Sequence, residues 1–342
     1  MARTTVYNDI VSEEKLKQIN EDNIELLNEF VEYLQSIDRS PSTIRNYISD
    51  IQICFCWSLE KNKNKFFIDF TKRDIMKYQN YLINTLNLSS NRIRRLRSSL
   101  SSMSNFIENI LDEDYPNFRN IINKIEAPVK NPIREKTVLS DEQVEYILNY
   151  LVDKKQYQKA CVFALTACSG SRKSEILRFK VDYFKDEYIV CGSLYKTPEK
   201  IKTKGRGSQG KLLNRYVLSH EFKPYLDLWL KERERLGINN EMLFVTKQKG
   251  EWKPMLVSTL NSWAKTFSVI LKEDFYFHSL RHYFTTHLAE KNIPDSVIKD
   301  IIGWSSLEMV SIYKDIEVDD QLEKYFSEDG IKEVKQSKLS DL

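Results

Sequence analysis

The N-terminal third of the chain carries apolar residues at helical spacing in one segment after another. Between residues 23 and 34 they recur every three or four positions, which is the period of a helix with one buried face. Three further segments with this period span 41–59, 69–82 and 89–111, and the first of them opens with a proline directly after a serine, which is typical of a helix start. The pattern predicts a bundle of about four helices.

The pattern changes after residues 126–136, which contain two prolines and little apolar content and therefore predict an exposed linker. Ser140 and Gln143 then have the spacing of a helix capping box. Two strand-like stretches, 188–191 and 216–218, predict a small antiparallel sheet with basic residues near its turn. Helical periods follow at 221–236, 256–271, 279–291 and 295–302.

These elements predict a mainly α protein with a small antiparallel β-sheet in its C-terminal domain. The length of 342 residues is enough for two domains of ordinary size. We place a helical domain at 1–125, the linker at 126–136, an α+β domain at 137–315 and a tail at 316–342.

Composition narrows the class of protein. Only 9 Gly and 8 Pro exclude collagen-like and proline-rich chains, and 41% hydrophobic with 30% charged residues is typical of a globular protein. The apolar runs are too short for a membrane span, and the first residues lack the apolar core of a secretory signal, so we expect no membrane partner. Five cysteines, an odd number, argue against a disulfide framework and favour the reducing cytoplasm.

The net charge of +3 is unevenly distributed. Acidic residues outnumber lysines by four between 312 and 342, which leaves +7 on the rest of the chain. Basic residues concentrate at 92–97 and at 196–215, where they would either bind a polyanion or be solvated.

Residues suited to chemistry on a phosphate occur in four stretches of the second domain. An arginine and a glutamate stand three apart after a glycine, and two lysines occupy the basic hairpin. A histidine and an arginine share a helix face at i and i+3, and a tryptophan precedes a tyrosine by nine residues. In chain order they are Arg172, Glu175, Lys202, Lys204, His278, Arg281, Trp304 and Tyr313.

In this order the residues resemble the catalytic signature of the tyrosine recombinase (phage integrase) family, and the likeness covers nearly the whole chain. It implies a helical core-binding domain followed by the catalytic domain. Carried over residue by residue, the catalytic set is Arg172, Lys204, His278, Arg281, Trp304 and Tyr313, with Glu175 as a supporting acid. Lys202 stays open as the alternative to Lys204, which directly precedes Gly205, and Trp304 stands where many members have histidine.

The chemistry of these residues suits a phosphodiester. The guanidiniums of Arg172 and Arg281 would hold the non-bridging oxygens, and Tyr313 would attack to give a covalent phosphotyrosine. His278 would accept the phenol proton or hold the phosphate, and Lys204 would protonate the departing 5′ oxygen. We expect no cofactor and no metal, since the new ester conserves the energy of the broken one.

The resemblance implies a site-specific recombinase that integrates or excises a mobile element, acting on double-stranded DNA with specific recombination sites. It also implies a homotetramer on DNA in which the tail docks on a neighbouring protomer, with an accessory DNA-bending or directionality protein as a further candidate partner. Contacts to DNA are expected from Arg45, Arg92, Arg94, Arg95, Arg97, Lys202 and Arg206.

Two other classes of function stay open from the sequence. A type IB topoisomerase would use the same chemistry to relax DNA without exchanging partners. A non-catalytic DNA-binding protein would not need Tyr313.

Overall fold

The computed structural model describes residues 6–129, 139–203 and 210–313, together with the backbone of 326–327 and 330–331. The chain divides into two compact units, and their described parts are 6–129 and, with a gap at 204–209, 139–313. Helices dominate both units and the strands are short and antiparallel, which confirms the predicted fold class.

The described part of the N-terminal unit is built from helices alone. Ser40 accepts a hydrogen bond from the amide of Thr43 with Pro41 in the first turn, and Thr71 forms a capping box with Asp74, so the helix starts are set by local side chains. The helices are α1 (Val6–Ile10), α2 (Glu13–Leu16), α3 (Glu21–Ser36), α4 (Pro41–Lys61), α5 (Lys72–Asn80) and α6 (Ser90–Ile110). A π-helical turn, Tyr81–Thr85, extends α5.

The core of this unit is formed by the apolar faces of α3, α4 and α6. Phe30 on α3 has no exposed surface, and its ring meets Phe106 of α6 with centroids 5.6 Å apart. Ile51 on α4 and Leu100 on α6 are equally buried. The helical periods of the sequence therefore correspond to the buried faces.

The second unit combines helices with short strands. Its helices are α7 (Asp141–Asp153), α8 (Tyr157–Ala167), α9 (Lys173–Ile176), α10 (Ser219–Arg235), α11 (Val257–Leu271), α12 (Phe277–Glu290), α13 (Asp295–Ile302) and α14 (Glu308–Tyr313). Its strands are β1 (Ile189–Val190), β2 (Leu194–Lys196), β3 (Ile201–Thr203), β4 (Lys211–Leu213), β5 (Tyr216–Leu218), β6 (Val245–Gln248), β7 (Glu251–Pro254), β8 (Phe326–Ser327) and β9 (Gly330–Ile331).

Helix α8 lies at the centre of this unit because it is apolar on every side. All residues from 160 to 167 are buried, and α7, α10 and α12 pack around them. Ser140 and Gln143 form the predicted capping box at the start of α7. The end of α8 and the adjacent α12 together set the position of the candidate site.

The sheets differ from the prediction in their pairing. Strands β1 and β5 do belong to one antiparallel sheet, but β2 lies between them in the order β1-β2-β5. The basic loop belongs to a separate hairpin formed by β3 and β4, and β6 and β7 form another hairpin that the pattern did not indicate. Strands of two to four residues are too short for alternation to mark them.

The predicted linker and tail fall largely outside the described residues. Residues 126–129 form neither helix nor strand, and the rest of the linker lies outside. Of the tail, the structure describes only the antiparallel pairing of β8 with β9. The domain boundaries therefore stay predictions. None of the described helices has the length and apolar character needed to cross a membrane.

Candidate active site

Arg172 is positioned by a tight turn between α8 and α9. Gly170 in this turn has φ +56°, and a Cβ there would lie 2.6 Å from Cδ1 of Phe284, so the close approach to α12 requires glycine. Arg172 caps α9: its backbone amide donates to Oε2 of Glu175 at 3.1 Å and its Nη1 donates to Oε1 at 2.9 Å. The Arg172 side chain keeps 27% of its surface exposed, whereas Glu175 is fully buried.

Arg281 projects from α12 into the same turn and is fully buried. Its Nη1 donates to the carbonyl oxygen of Gly170 at 2.8 Å, which fixes the guanidinium against the end of α8. Its Nε and Nη2 are buried and have no acceptor among the described residues. Two unpaired donors on a buried cation cost free energy, and a bound anion would satisfy them.

His278 and Tyr313 meet directly. His278 Nε2 and Tyr313 Oη are 2.5 Å apart, and the two residues lie on α12 and α14, which pack against each other. A base and a hydroxyl nucleophile within hydrogen-bond distance are the pair that nucleophilic catalysis requires.

Aromatic rings hold the Tyr313 phenol between them. Its ring stacks on His282 at 4.3 Å and meets the Trp304 ring at 4.8 Å. The guanidinium of Arg281 lies 5.0 Å from the centre of the Trp304 ring. Trp304 Nε1 is likewise buried and has no acceptor among the described residues.

Trp304 reaches this place because α13 ends sharply. Gly303 has φ +78°, the left-handed conformation of a helix C-terminus, and the amides of Gly303 and Trp304 both bond back to the carbonyl of Lys299. The turn directs the chain towards α14, which carries Tyr313.

Electrostatics in the site favour an anionic ligand. Burial and the neighbouring Arg172 and Arg215 lower the pKa of Arg281 to about 9, which leaves it charged at neutral pH. Burial opposes ionisation of Glu175, but Arg215 and Arg172 outweigh it and lower the pKa of this carboxyl. Three guanidiniums against one carboxylate leave an excess of positive charge.

The imidazole of His278 is neutral at physiological pH. Partial burial, followed by the charges of Arg281, His282, Arg172 and Lys173, lowers its pKa to about 4. A neutral imidazole has a nitrogen lone pair free to accept a proton, so His278 is a base for the phenol.

An open cleft of about 330 Å³ lies beside these groups. It gives solvent access to Arg172 and His278. Its walls are Arg172, Lys173, Ser174, Val257, Phe277 and His278.

The structure thus brings together six of the predicted site residues: Arg172, Glu175, His278, Arg281, Trp304 and Tyr313. Lys204 and Arg206 lie outside the described residues. Lys202 is exposed on β3, where its carbonyl accepts from Nη1 of Arg178 at 3.0 Å. The choice between the two lysines therefore stays open.

The candidate DNA-binding arginines of the N-terminal unit differ in their surroundings. Arg45 is exposed on α4. On α6, Arg92 and Arg95 both pair with the buried Asp50, at 2.8 and 3.2 Å, and the exposed Arg94 donates from Nε to the carbonyl of Pro128 at 2.7 Å.

Arg97 corrects one of the predictions. It is 6% exposed, and its guanidinium donates to Gln79 Oε1 and to the carbonyls of Ile122 and Ile125 at 2.5 to 2.7 Å. With its donors engaged inside the unit, Arg97 joins α6 to its neighbours and is not placed to contact a phosphate.

Arg215 is the residue that sequence reasoning missed. Its position in the chain groups it with the basic hairpin, yet it is fully buried against Glu175, Ser169, Ser171 and Ile302. Because Arg215 stands in a basic stretch of the chain, nothing in the sequence marked it as buried.

This unit therefore carries a phenol in contact with an imidazole and beside a buried guanidinium, a set of groups suited to chemistry on a phosphodiester. Residues 137–319 match the phage integrase family, and residues 26–117 match the SAM-like N-terminal domain of phage integrases. The chain belongs to the phage integrase family, the tyrosine recombinases.

Similar proteins agree with this assignment. The SPbeta prophage-derived recombinase-like protein YomM of Bacillus subtilis is 30% identical over 260 residues, which are 75% of this chain and 74% of that protein. Tyrosine recombinase XerC of Psychromonas ingrahamii is 25% identical, covering 80% of this chain and 85% of that one. The fold is shared with the Tn1549 transposon integrase solved with circular intermediate DNA, at a TM-score of 0.63 and 15% identity, over 87% of this chain and 97% of that one.

Proposed function

We propose that the protein is a site-specific DNA recombinase that breaks and rejoins DNA strands through a 3′-phosphotyrosine intermediate. The observation that carries the proposal is the contact of Tyr313 Oη with His278 Nε2, beside buried donors of Arg281 that have no acceptor in the part of the chain that the structure describes. A nucleophile, its base and an anion-binding group occur together in one site.

The reaction can be written with these groups. A scissile phosphate binds with its non-bridging oxygens on Arg172 and Arg281, and the N–H of Trp304 faces the same group. Tyr313 Oη attacks phosphorus while its proton passes to His278, and the bond from phosphorus to the 5′ oxygen breaks. That oxygen leaves with a proton from Lys204 or Lys202 as a general acid.

Rejoining is the reverse of this reaction on a new strand. The 5′ hydroxyl of a partner strand attacks phosphorus and gives its proton to the lysine that had acted as the general acid. The bond from phosphorus to Tyr313 Oη breaks, and the phenol regains its proton from His278. Because the ester stores the energy of the broken bond, the cycle balances without a nucleotide or a metal ion.

We assign the substrate to double-stranded DNA that carries specific recombination sites, bound by a homotetramer in the cytoplasm. The exposed Arg45 and the α6 arginines Arg92, Arg94 and Arg95 are the proposed phosphate contacts of the N-terminal unit. The name of the prophage-derived relative supports integration or excision of a mobile element as the biological outcome. A tail contact between protomers and an accessory DNA-bending protein remain part of the proposal.

The test is covalent capture on nicked suicide substrates that carry the native recombination site. Wild-type protein is expected to give a denaturant-resistant DNA adduct that maps to Tyr313, and Tyr313→Phe is expected to give none while binding the same DNA. Tyr276→Phe, which changes a tyrosine two residues before His278, is the matched control and should still give the adduct. Absence of the adduct from wild type would refute the proposal, and relaxation of supercoiled DNA without exchange of partners would replace it with a topoisomerase.

A further inference from the structure

Arg215 contacts several residues of the candidate site, although its place in the sequence groups it with the basic hairpin. It lies directly before β5, and its side chain is fully buried. Nη1 donates to the carbonyl of Ile302 at 2.8 Å and Nη2 to that of Ser169 at 3.2 Å. Nε and Nη2 both reach Ser171 Oγ at 3.3 Å, and Nη2 lies 3.7 Å from Oε2 of Glu175.

These contacts lead to two separate parts of the site. Ser171 directly precedes Arg172, and Glu175 is the carboxylate that holds the Arg172 guanidinium. Ile302 is the last residue of α13, two residues before Trp304. One guanidinium therefore joins the turn that carries Arg172 to the turn that carries Trp304.

The second turn packs closely against the strand pair that precedes Arg215. A Cβ on Gly303 would collide with the side chain of Leu213, the last residue of β4, and would lie 3.7 Å from Nη1 of Arg215. The backbone of the turn thus lies directly on the strand pair that leads into Arg215, and Arg215 bonds to the carbonyl just before it.

Burying a guanidinium is a costly way to stabilise a fold. An apolar side chain of similar volume would often be at least as stable, whereas the planar fork of arginine sets several acceptors at fixed distances and angles. Burial and the nearby Arg172 lower the pKa of Arg215, and the carboxylate of Glu175 opposes this lowering. We therefore expect the contacts of the Arg215 guanidinium to matter for the relative positions of the groups that it joins.

We propose that Arg215 is a positioning residue, which keeps Arg172 and Trp304 in register around the scissile phosphate by bonding to both of their turns. The inference rests on the proposed function and adds a residue that touches neither the DNA nor the nucleophile. Lysine at this position would keep the charge beside Glu175 but, as a single point of donation, could not reach both turns.

The test compares Arg215→Lys with Arg233→Lys. Arg233 on α10 is a matched control because it is also a buried arginine, 5% exposed. Its guanidinium donates to the backbone carbonyls of residues 240, 242 and 243. Both variants are expected to lower the melting temperature. Only Arg215→Lys should slow adduct formation at saturating DNA, by about tenfold or more, while its DNA affinity stays within about threefold of wild type.

A double-mutant cycle with Trp304→Phe separates positioning from general loss of stability. If Arg215 acts through Trp304, the double variant should be much less impaired than the product of the two single effects. Ser171→Ala supplies a second variant, since it removes one acceptor and leaves the ion pair intact, and it should slow adduct formation by about threefold with unchanged affinity.

The outcomes are distinguishable. Equal adduct rates for folded Arg215→Lys and Arg233→Lys, or independent effects in the cycle, would overturn the inference and leave the proposed function standing. Failure of the wild-type protein to form any adduct would overturn the proposed function, and the inference with it.

Discussion

At the scale of single residues, the protonation of His278 decides whether Tyr313 has a base. The ordinary pKa of histidine is 6.5, and partial burial, with Arg281 as the largest of the neighbouring charges, lowers that of His278 to about 4. Lowering favours the neutral ring, so His278 can accept a proton at every pH above about 4 and loses this capacity below it. His287, on the same helix, is affected in the opposite direction, because the carboxylate of Glu221, 3.4 Å from its Nε2, raises its pKa.

We predict that the two histidines titrate on opposite sides of 6.5 in the DNA-free protein. Arg281→Met should raise the pKa of His278, because Arg281 has the largest effect among the neighbouring charges that lower it, and should leave His287 unchanged. Imidazole chemical shifts followed by NMR between about pH 3.5 and 8 measure both values. Arg233→Met, which removes a buried arginine bonded to carbonyls at 240–243, is the control. A His278 midpoint at 6.5 or above in wild type would contradict the prediction.

At the scale of elements, the arginines of α6 show that the helical period of a segment can predict which charged residues are buried. Arg97 stands four residues after Ile93 and three before Leu100, both fully or almost fully buried, so the period itself places Arg97 on the buried face. The charge of Arg97 suggested a contact with DNA, whereas its position on the helix correctly indicated burial. Arg45, in contrast, lies on the exposed side of α4.

Replacing Arg97 should therefore change the stability of the protein, whereas replacing Arg45 should change its DNA binding. Arg97→Met is expected to lower the free energy of unfolding by about 1–3 kcal/mol, since the carbonyls of Ile122 and Ile125 lose their donor, and to leave the salt dependence of DNA binding unchanged. Arg45→Met should leave stability within about 0.5 kcal/mol and reduce the slope of log affinity against log salt by about 0.9, because one phosphate loses its cation. Denaturant unfolding and salt titrations of DNA binding check both. A shallower slope for Arg97→Met with intact stability would return Arg97 to the DNA-binding set.

The elements also show what the sequence could and could not predict. Helix starts were readable because Ser40, Thr71 and Ser140 mark them locally with hydrogen bonds to the first turn. Strand β2 was not, because three residues carry no usable alternation and its partners come from both sides of the chain. The turn at Gly170 depends on Phe284 of α12, a contact between residues far apart in sequence.

The candidate site was predictable as a set of residues and not as an arrangement. The order of Arg172, His278, Arg281 and Tyr313 identified the family, but nothing in the order shows that Arg281 keeps two donors without an acceptor among the described residues or that His282 stacks under the phenol. Arg215 was hidden for the same reason, since its partners lie 44 and 87 residues away along the chain.

At the scale of the whole molecule, the question is whether one protomer holds a complete set of reacting groups. Tyr313 lies on α14, which packs on α12 and α13 of the same chain, and its hydroxyl contacts His278 of that chain. The guanidinium of Arg281 lies 5.9 Å from the centre of the same phenol ring. We infer that the nucleophile and the anion-binding arginine act in cis, so that each protomer of the proposed tetramer cleaves the strand that it binds.

Mixing two inactive variants tests this arrangement. If cleavage is in cis, Tyr313→Phe mixed with Arg281→Lys should give no more adduct than either alone, because no subunit combines an intact phenol with an intact guanidinium. Donation of the tyrosine in trans would restore adducts, since Arg281→Lys could supply its Tyr313 to a site with an intact Arg281. Wild type mixed with Tyr313→Phe controls for assembly, and its adduct yield should follow the fraction of wild-type subunits. Restored cleavage in the first mixture would show that α14 leaves its own His278 in the DNA-bound assembly.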